Sequence, residues 1–260
     1  MKKINVLDTI PPHIVSLHCT SGTIIPDINT MKTEKPMKPY KKEFIQFLLE
    51  MKALKFGEFT LKSGRLSPYF LNTGMLHTGR SISKLGSFYA STIVDNVKDR
   101  YSAVFGPAYK GIPLAIAAVN ALYAEHGIDV DYAFNRKEAK DHGDKGLIVG
   151  KPLSSDDTLV LVDDVITAGT AVRESLDLLA AQGNPKLSAV IISVDRMEKG
   201  TGEKSAIQEI SESTGITFYP IVTILDIIEY LKDPSLKSEH GIGEEMIVKM
   251  EEYRKTYGVG

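Results

Sequence analysis

The stretch Leu159-Val160-Leu161-Val162-Asp163-Asp164-Val165-Ile166-Thr167-Ala168-Gly169-Thr170-Ala171 carries the strongest structural signal in the chain. Its first four residues are apolar and rich in β-branched Val, which is typical of a strand buried on both faces of a sheet. A turn of small residues follows, and then a helical pattern that ends at Gly183. This order predicts an anion site, because the free N–H groups and the dipole of a first helical turn attract phosphate.

The two acidic residues at the end of this strand, Asp163 and Asp164, indicate a second kind of ligand group. Carboxylates repel phosphate, but they accept hydrogen bonds from ribose hydroxyls and bind divalent cations. A phosphate site beside a carboxylate pair therefore predicts a phosphorylated sugar. A solvated turn or a helix cap is the structural alternative. The chain has no Gly-x-x-x-x-Gly-Lys-[Ser/Thr] loop and no Gly-x-Gly-x-x-Gly loop after a strand, so nothing favours a kinase or a dehydrogenase.

The composition excludes several classes of function. The chain has 260 residues, 43% of them hydrophobic, and a mean hydropathy of −0.07. That is enough for one α/β domain of roughly 200 residues. A net charge of −2 gives no general attraction to nucleic acid or to an anionic membrane. No apolar run approaches the ~20 residues of a membrane span. Cys19 is the only cysteine, which excludes an intrachain disulfide and fits a cytoplasmic location.

Residues 1–36 differ from the rest of the chain, with four prolines, no apolar periodicity and the only cysteine. Asp8 and the pair Pro11-Pro12 interrupt the apolar region that a signal peptide needs. We therefore expect a disordered leader or a non-native extension here, with a regulatory extension as the alternative. The folded domain is expected over residues 37–260.

Strands alternate with helices along this domain, which predicts an α/β fold with a parallel central sheet flanked by helices. A first helix is predicted to begin at Pro39 and to end near Gly57, followed by a small irregular β subdomain over 58–74. We expect residues of about 37–75, with C-terminal elements, to form a small N-terminal hood. Residues of about 80–225 would form the core. Ligands in such sheets bind beyond the carboxyl ends of the strands.

The 159–171 stretch resembles the motif with which type I phosphoribosyltransferases bind phosphoribosyl diphosphate (PRPP). Four further segments resemble the orotate phosphoribosyltransferase family in particular: FGEFTLKSGR (56–65), SPYF (67–70), FGPAYKGIP (105–113) and FNRKEAKDHG (134–143). The resemblance runs in the same order from about Met37 to about Gly258. It implies transfer of a phosphoribosyl group from PRPP to orotate, giving orotidine 5′-monophosphate and pyrophosphate in pyrimidine synthesis.

Each part of PRPP needs a different partner. We expect the turn over Thr167–Ala171 to donate N–H groups to the 5′-phosphate, and Asp163 and Asp164 to accept hydrogen bonds from the ribose hydroxyls. Their charge would also stabilise an oxocarbenium-like transition state at C1′. The expected PRPP-binding residues are Lys62, Tyr109, Lys110, Arg136, Lys137, Lys140, His142, Asp163, Asp164, Val165, Ile166, Thr167, Ala168, Gly169, Thr170 and Ala171. The expected catalytic residues among them are Lys62, Lys140, His142, Asp163 and Asp164.

Two basic segments are expected to serve the pyrophosphate. Lys110 follows a predicted strand, and Gly111 beside it allows close backbone approach. A strand over 131–136 precedes a long charged loop over 138–150, whose glycines predict a mobile lid that excludes water. A solvated charged loop is the alternative. The resemblance implies that the 136–147 loop is shared across the subunits of a homodimer.

The resemblance also implies the contacts with the base. Lys62 would reach both PRPP and orotate, and Phe70 with Leu71 would contact the ring. Thr167 would touch orotate, and Arg196 would bind its carboxylate with two N–H groups. Leu71 departs from the pattern, since many close relatives have a second Phe there. No direct metal ligands are predicted from the protein, because Mg²⁺ should be carried mainly by PRPP and pyrophosphate oxygens.

Three other functions would leave different features in the sequence. A purine phosphoribosyltransferase predicts a base-contact region without the FTLKSG stretch and the KDHG loop, and both are present. A non-catalytic PRPP sensor should lack the loop cations or carry a basic DNA-binding segment. A general nucleotide-binding module should carry its own glycine-rich loop.

Overall fold

The computed structural model of the protein describes residues 36–61, 63–140, 146–233 and 242–260. The predictions for residues 1–35, Lys62 and His142 lie outside this part of the chain, as does the side chain of Lys140. Residues Met37–Gly260 form one compact unit.

Helices and strands alternate along this unit, as predicted. In chain order they are α1 (Pro39–Glu50), β1 (Leu54–Thr60), β2 (Leu66–Leu71), a 3₁₀ turn (Thr73–Met75), α2 (Gly79–Asn96), β3 (Ala103–Gly106), α3 (Gly111–His126), β4 (Asp131–Lys140), β5 (Gly146–Gly150), β6 (Thr158–Asp163), α4 (Thr170–Ala181), β7 (Lys186–Asp195), α5 (Ala206–Thr214), β8 (Thr217–Thr223), α6 (Ile224–Lys232) and α7 (Glu244–Tyr257).

The central sheet has the strand order β5-β4-β3-β6-β7-β8. The five strands β4, β3, β6, β7 and β8 pair in parallel with their neighbours in this order. Strand β5 lies at the edge of the sheet and pairs antiparallel with β4. The predicted parallel sheet flanked by helices is therefore confirmed. The chain order reverses direction between β3 and β6, so the loops after these two strands open into the crevice where ligands bind in sheets of this type.

Strand β6 lies at the centre of the sheet and is buried on both faces. Val160 and Val162 belong to a core layer shared with α1, α2 and α3, whereas Leu159 and Leu161 belong to a second layer with α4 and α5. Successive side chains of a strand point to opposite faces, so one short apolar run supplies both layers. The predicted doubly buried strand is confirmed.

The N-terminal part forms the small two-stranded sheet of the hood. Pro39 occupies the first turn of α1 as predicted, but the helix ends at Glu50 and not near Gly57. Residues of the expected helix end instead belong to β1, which pairs antiparallel with β2 and places Phe56 opposite Tyr69. The helical spacing in this segment is overridden by tertiary pairing.

The predicted bounds of the basic loop are wrong. Strand β4 continues to Lys140 and pairs with β5, with Lys140 opposite Gly146. The stretch that was predicted as a loop over 136–147 therefore contains the end of one strand and the start of another. The pairing is regular up to Asn135 and resumes at Lys140 after a register shift, and the side chains of Lys137 and Glu138 in between are exposed. Residues 141–145 lie outside the described part of the chain.

Among the described residues, no helix is long and apolar enough to cross a membrane. The cytoplasmic location predicted from the single cysteine stays a prediction.

Strand β3 and helix α3 approach each other closely through two glycines. A Cβ atom on Gly106 would lie 2.1 Å from the carbonyl oxygen of Gly111, and one on Gly111 would lie 2.7 Å from the carbonyl carbon of Gly106. Since both neighbours are backbone atoms, neither can move aside. The close approach fixes the short loop that carries Tyr109 and Lys110.

Gly106→Ala should therefore force β3 and α3 apart and lower the free energy of unfolding by about 2 kcal/mol or more. Urea denaturation measures this change. Gly202→Ala is the matched control, since a Cβ there meets nothing within 4 Å, and its effect should stay within ~0.5 kcal/mol. Equal stability of the two variants would contradict the close approach.

Candidate functional site

The acidic doublet lies where β6 leaves the sheet, and its backbone is fixed from two sides. The hydroxyl of the fully buried Tyr89 on α2 donates a hydrogen bond of 2.6 Å to the carbonyl of Asp163. The backbone N–H and the hydroxyl of Ser193 on β7 donate to the carbonyl of Asp164, at 2.8 and 2.6 Å. The end of β6 is thus held by both a neighbouring helix and a neighbouring strand.

The side chain of Asp164 receives two donors on one oxygen. Lys110 Nζ lies 2.5 Å and Thr73 Oγ1 lies 2.9 Å from its Oδ2 atom. Lys110 comes from the loop after β3, and Thr73 comes from the 3₁₀ turn after β2. The structure therefore brings together Lys110 and the doublet, as expected for loops at the carboxyl end of a parallel sheet.

The turn after the doublet has the features of an anion site. Gly169 adopts a left-handed conformation (φ 75°), and a Cβ there would meet Ile210 Cδ1 at 2.7 Å. Helix α4 begins directly after it at Thr170, and no described side chain caps this end. Helices α2, α5 and α6 are each capped by a hydroxyl, from Thr78, Ser205 and Thr223, whereas α1, α3 and α7 lack a described side-chain cap as α4 does. What distinguishes α4 is the left-handed glycine and the exposed turn directly before its first residue. The first amides of α4 are therefore available to a ligand, and Thr167, Ala168, Thr170 and Ala171 are exposed around them.

Asn135 on β4 connects this strand to the loop after β3, at the same edge of the sheet. Its Oδ1 atom accepts a hydrogen bond of 2.8 Å from the backbone N–H of Ala108, in the loop that carries Tyr109 and Lys110. The Ala108–Tyr109 peptide bond is cis. Tyr109 is 71% exposed.

Arg136 donates to the carbonyl of Gly146 at 3.0 Å, so its side chain lies along the β4–β5 hairpin.

Arg196 follows β7 and lies buried between the core and the hood. Its Nε and Nη2 atoms donate to Glu198 Oε1 at 2.9 and 2.7 Å, and its guanidinium lies 4.5 Å from the centre of the Tyr69 ring. Nη2 also lies 3.3 Å from Ser67 Oγ. Burial alone would lower the pKa of Arg196, but Tyr69 and Glu198 outweigh it and raise that pKa. The guanidinium is therefore held as a cation in a fixed orientation.

The predicted ring contacts lie on β2. Phe70 is half-buried and stacks on Phe59 of β1, with 5.4 Å between the ring centres. Leu71 is also half-buried and lies opposite Leu54. Both residues precede Thr73 by only a few positions, so the predicted base contacts and the observed contact to Asp164 come from one short segment.

The two carboxyl groups of the doublet differ in their electrostatics. Burial, and next the charge of Asp164, raise the pKa of Asp163 to about 6. The hydrogen bond from the Asp164 amide and the charge of Lys110 oppose this shift only in part. Asp163 is 8% exposed, so water solvates its charge poorly. The protein holds this carboxylate in an unfavourable environment, which is common at functional sites.

No group of three or more His, Cys, Asp or Glu that could hold a metal ion occurs in the described parts of the chain. The doublet itself offers the hard carboxylate oxygens that Mg²⁺ prefers, and these oxygens would suit an ion that arrives with most of its ligands from phosphate, ribose and water.

Comparisons with known proteins agree with this geometry. Residues 72–218 match the model of the phosphoribosyl transferase domain. Orotate phosphoribosyltransferase from Cronobacter sakazakii is 51% identical over 223 residues, which cover 86% of this chain and 100% of that protein. The enzyme of that name from Clostridium botulinum is 46% identical over 222 residues, covering 85% of this chain and 99% of the relative. The chain belongs to the orotate phosphoribosyltransferase family.

Membership of the orotate phosphoribosyltransferase family extends to the three-dimensional structure. The crystal structure of orotate phosphoribosyltransferase from Francisella tularensis superposes with a TM-score of 0.74 at 41% identity, and the match covers 84% of this chain and 100% of that chain. The family resemblance and the type I phosphoribosyltransferase fold inferred from the sequence are both confirmed. The roles of the individual site residues stay predictions.

Four residues at the site were missed by sequence reasoning: Thr73, Tyr89, Asn135 and Ser193. Each bonds to the doublet or to the loop that carries Lys110. Tyr89 fits the apolar pattern of α2, and its hydroxyl gives no separate signal. Asn135 adjoins the predicted Arg136 and follows a strand-like run, which is the one local hint that its amide lies at the site.

The raised pKa of Asp163 predicts how stability depends on pH. The folded protein binds more protons than the unfolded chain between about pH 4 and 6, so the contribution of Asp163 falls as pH rises through this window. Asp163→Asn keeps an oxygen for the Asp164 amide but removes the charge. It should raise the free energy of unfolding by about 1–3 kcal/mol at pH 8, with the gain vanishing near pH 4.

Chemical denaturation at several pH values measures this difference. Asp177→Asn is the control, since Asp177 is exposed on α4, and its effect should not change with pH in the same way. A pH-independent effect of Asp163→Asn would show that burial of the charge is not its cause.

Proposed function

We propose that the protein transfers the phosphoribosyl group of PRPP to orotate, giving orotidine 5′-monophosphate and pyrophosphate in de novo pyrimidine synthesis. The observation that carries this proposal is the convergence of Lys110, the acidic doublet and the open N-terminus of α4 at one edge of the sheet, in a chain of this family.

Three groups of residues would each bind a different part of PRPP: its 5′-phosphate, its ribose and its pyrophosphate. The first amides of α4 would donate to the 5′-phosphate, helped by the positive end of the helix dipole. The carboxylates of Asp163 and Asp164 would accept hydrogen bonds from the ribose hydroxyls. Such bonds favour the charged carboxylate, so binding of PRPP would lower the raised pKa of Asp163.

Lys110 would leave Asp164 for the pyrophosphate when PRPP binds. Its side chain is 66% exposed, so it can move without disturbing the core. Lys137 on β4 is also exposed. Together with Arg136, Lys140 and His142 it would bring further positive charge to the leaving group and exclude water from C1′.

The transfer needs no covalent enzyme intermediate. N1 of orotate forms a bond to C1′ and releases its proton to solvent, while the bond between C1′ and the pyrophosphate oxygen breaks and pyrophosphate leaves with the electron pair. The configuration at C1′ inverts. The doublet stabilises the positive charge that develops on the ribose, and orientation of the two substrates supplies much of the remaining acceleration.

Mg²⁺ would enter with PRPP, carried mainly on its pyrophosphate and ribose oxygens, and would neutralise charge on the leaving group. The residues closest in chemistry to such an ion are the carboxylates of Asp163 and Asp164.

Arg196 is the proposed partner of the orotate carboxylate. Glu198 and Ser67 hold the Nε and Nη2 atoms, which would leave Nη1 for the substrate. Phe70 and Leu71 would contact the ring, with less stacking at Leu71 than a second Phe would give. Thr167 is exposed after the doublet and would contact orotate from the other side.

The minimal active unit is proposed to be a cytoplasmic homodimer, in which the β4–β5 hairpin of one subunit reaches the site of the other. Support comes from the pairing of β4 with β5, which places the basic residues of β4 on a hairpin at the edge of the sheet.

The test is an assay of purified protein with PRPP, Mg²⁺ and orotate, which follows the loss of orotate absorbance. Uracil, hypoxanthine and adenine serve as alternative acceptors. We expect turnover when orotate is the acceptor and none with the three other bases. Preference for hypoxanthine or adenine would support a purine enzyme, and PRPP binding without turnover of any base would support a sensor.

Lys110→Met should lower kcat/KM for PRPP by about 10- to 100-fold, because the leaving group loses a charge that interacts most strongly in the transition state. Steady-state kinetics measure this change. Lys186→Met is the matched control: Lys186 has the same side-chain exposure of 66% but lies at the start of β7, away from the ligand edge. Similar kinetics of both variants would contradict the role of Lys110.

Mixing two inactive variants tests the shared lid. The first is a lid variant: Lys140→Ala and His142→Ala should each slow turnover strongly without loss of fold, and either can be used. The second carries both Asp163→Asn and Asp164→Asn and should be inactive because its ribose contacts are lost. An equal mixture that exchanges subunits should recover up to about one quarter of the parent activity, because half of the dimers then hold one intact site. No recovery would show that each subunit supplies its own lid.

A further inference from the structure

We propose that Thr73 of the hood is a positioning residue for PRPP, which holds the Asp164 carboxylate in place for a ribose hydroxyl. This inference rests on the proposed function and assigns a role to a residue that the sequence patterns did not single out. The hydroxyl of Thr73 donates to Asp164 Oδ2 at 2.9 Å, across 91 residues of sequence.

The backbone around Thr73 is fixed, so its hydroxyl has a defined position. Asn72 donates its N–H to the carbonyl of Ala53 at 2.7 Å, and its Oδ1 atom accepts from the amide of Gly74 at 3.1 Å. The amide of Leu76 donates to the carbonyl of Thr73 at 2.9 Å. The turn is therefore anchored to the hood, and the Thr73 hydroxyl reaches from the hood to the core.

Both donors of Asp164 use the same oxygen. Lys110 and Thr73 reach Oδ2, while no hydrogen bond from the described residues reaches Oδ1. The side chain of Asp164 is only 14% exposed, so water has limited access to it. The arrangement presents Oδ1 as the free acceptor for a ribose hydroxyl.

Thr73 becomes the more important of the two donors once PRPP is bound. Lys110 then serves the pyrophosphate, and its bond to Asp164 is lost or weakened. Within the described parts of the chain, the Thr73 hydroxyl donates to Asp164 alone. It therefore keeps Oδ2 occupied, because a hydrogen bond to an ionised acceptor is stronger than one between neutral groups. Without the hydrogen bond from Thr73, the carboxylate of Asp164 could rotate, and its Oδ1 atom would no longer be held in position for the ribose hydroxyl.

The kinetic signature of this role differs from that of a ring contact. Phe70 and Leu71 precede Thr73 on the same segment, so general damage to the hood would weaken binding of orotate as well as PRPP. Loss of the hydroxyl alone should weaken binding of PRPP and leave binding of orotate nearly unchanged.

Thr73→Val removes the hydroxyl and keeps the shape, whereas Thr73→Ser keeps the hydroxyl. Titration calorimetry with PRPP and Mg²⁺ should show a Kd about 5- to 20-fold higher for Thr73→Val and within about threefold of the parent for Thr73→Ser. The KM for orotate at saturating PRPP should stay within about twofold of the parent value. Thr256→Val on α7 is the control, since Thr256 is exposed and donates only to the carbonyl of Glu252.

A double-mutant cycle with Asp164→Ala separates positioning from packing. In the Asp164→Ala background, Thr73→Val should change the Kd for PRPP by less than about twofold, because the acceptor is gone. An equal effect of Thr73→Val with and without Asp164, an unchanged Kd in Thr73→Val, or failure of Thr73→Ser to restore binding would each overturn the inference.

The two proposals can fail separately. A parent protein that converts orotate while Thr73→Val binds PRPP normally refutes only the role of Thr73. A parent protein that binds PRPP but converts no orotate refutes the proposed reaction, and the calorimetric comparison of Thr73 variants still decides the role in PRPP binding.

Discussion

The hydrogen bonds from Tyr89 and Ser193 to the carbonyls of Asp163 and Asp164 fix the point on which the rest of the site depends. They hold the end of the central strand against α2 and β7, so the two carboxylates leave the sheet in defined directions. The turn to Gly169 and the start of α4 then follow within a few residues. Misplacement here would move the proposed ribose contacts and the proposed phosphate contacts together.

The same constraint has an energetic cost. Asp163 is nearly buried beside a second carboxylate, and its pKa is raised to about 6. Folding therefore opposes the charge that the proposed ribose binding and transition-state stabilisation would require of Asp163. Lys110 and Thr73 donate directly to the carboxylate of Asp164, whereas the described residues donate to the carboxyl group of Asp163 only through a backbone amide. The site is thus prepared for a ligand that brings hydroxyl donors to the doublet.

Local patterns in the sequence predicted the elements that build the site. The apolar run of β6, the doublet and the small-residue turn are contiguous, and the convergence of their loop with the loop that carries Lys110 follows from the common edge of parallel strands. The hydrogen bond between Lys110 and Asp164 itself was not predicted. Contacts over long sequence distances were not predicted. Tyr89 and Thr73 lie 74 and 91 residues from their partners, and nothing in their neighbourhood distinguishes them from core or loop residues.

Element ends were predicted less well where two signals compete. The helical spacing after Pro39 continues into residues that pair as β1, and the charged run after Arg136 continues as β4 because an edge partner is present. Helix α6 was missed because its apolar residues follow β8 without a break, although Thr223 and Asp226 form a capping box at the junction.

A crystal structure of the protein soaked with PRPP and Mg²⁺ tests the central claim most directly. We expect the 5′-phosphate against the first amides of α4 and the ribose hydroxyls on the carboxylates of Asp163 and Asp164, with Lys110 turned from Asp164 to the pyrophosphate. A saturated crystal with PRPP bound elsewhere, or with the turn over Thr167–Ala171 free of ligand, would contradict this account of the site.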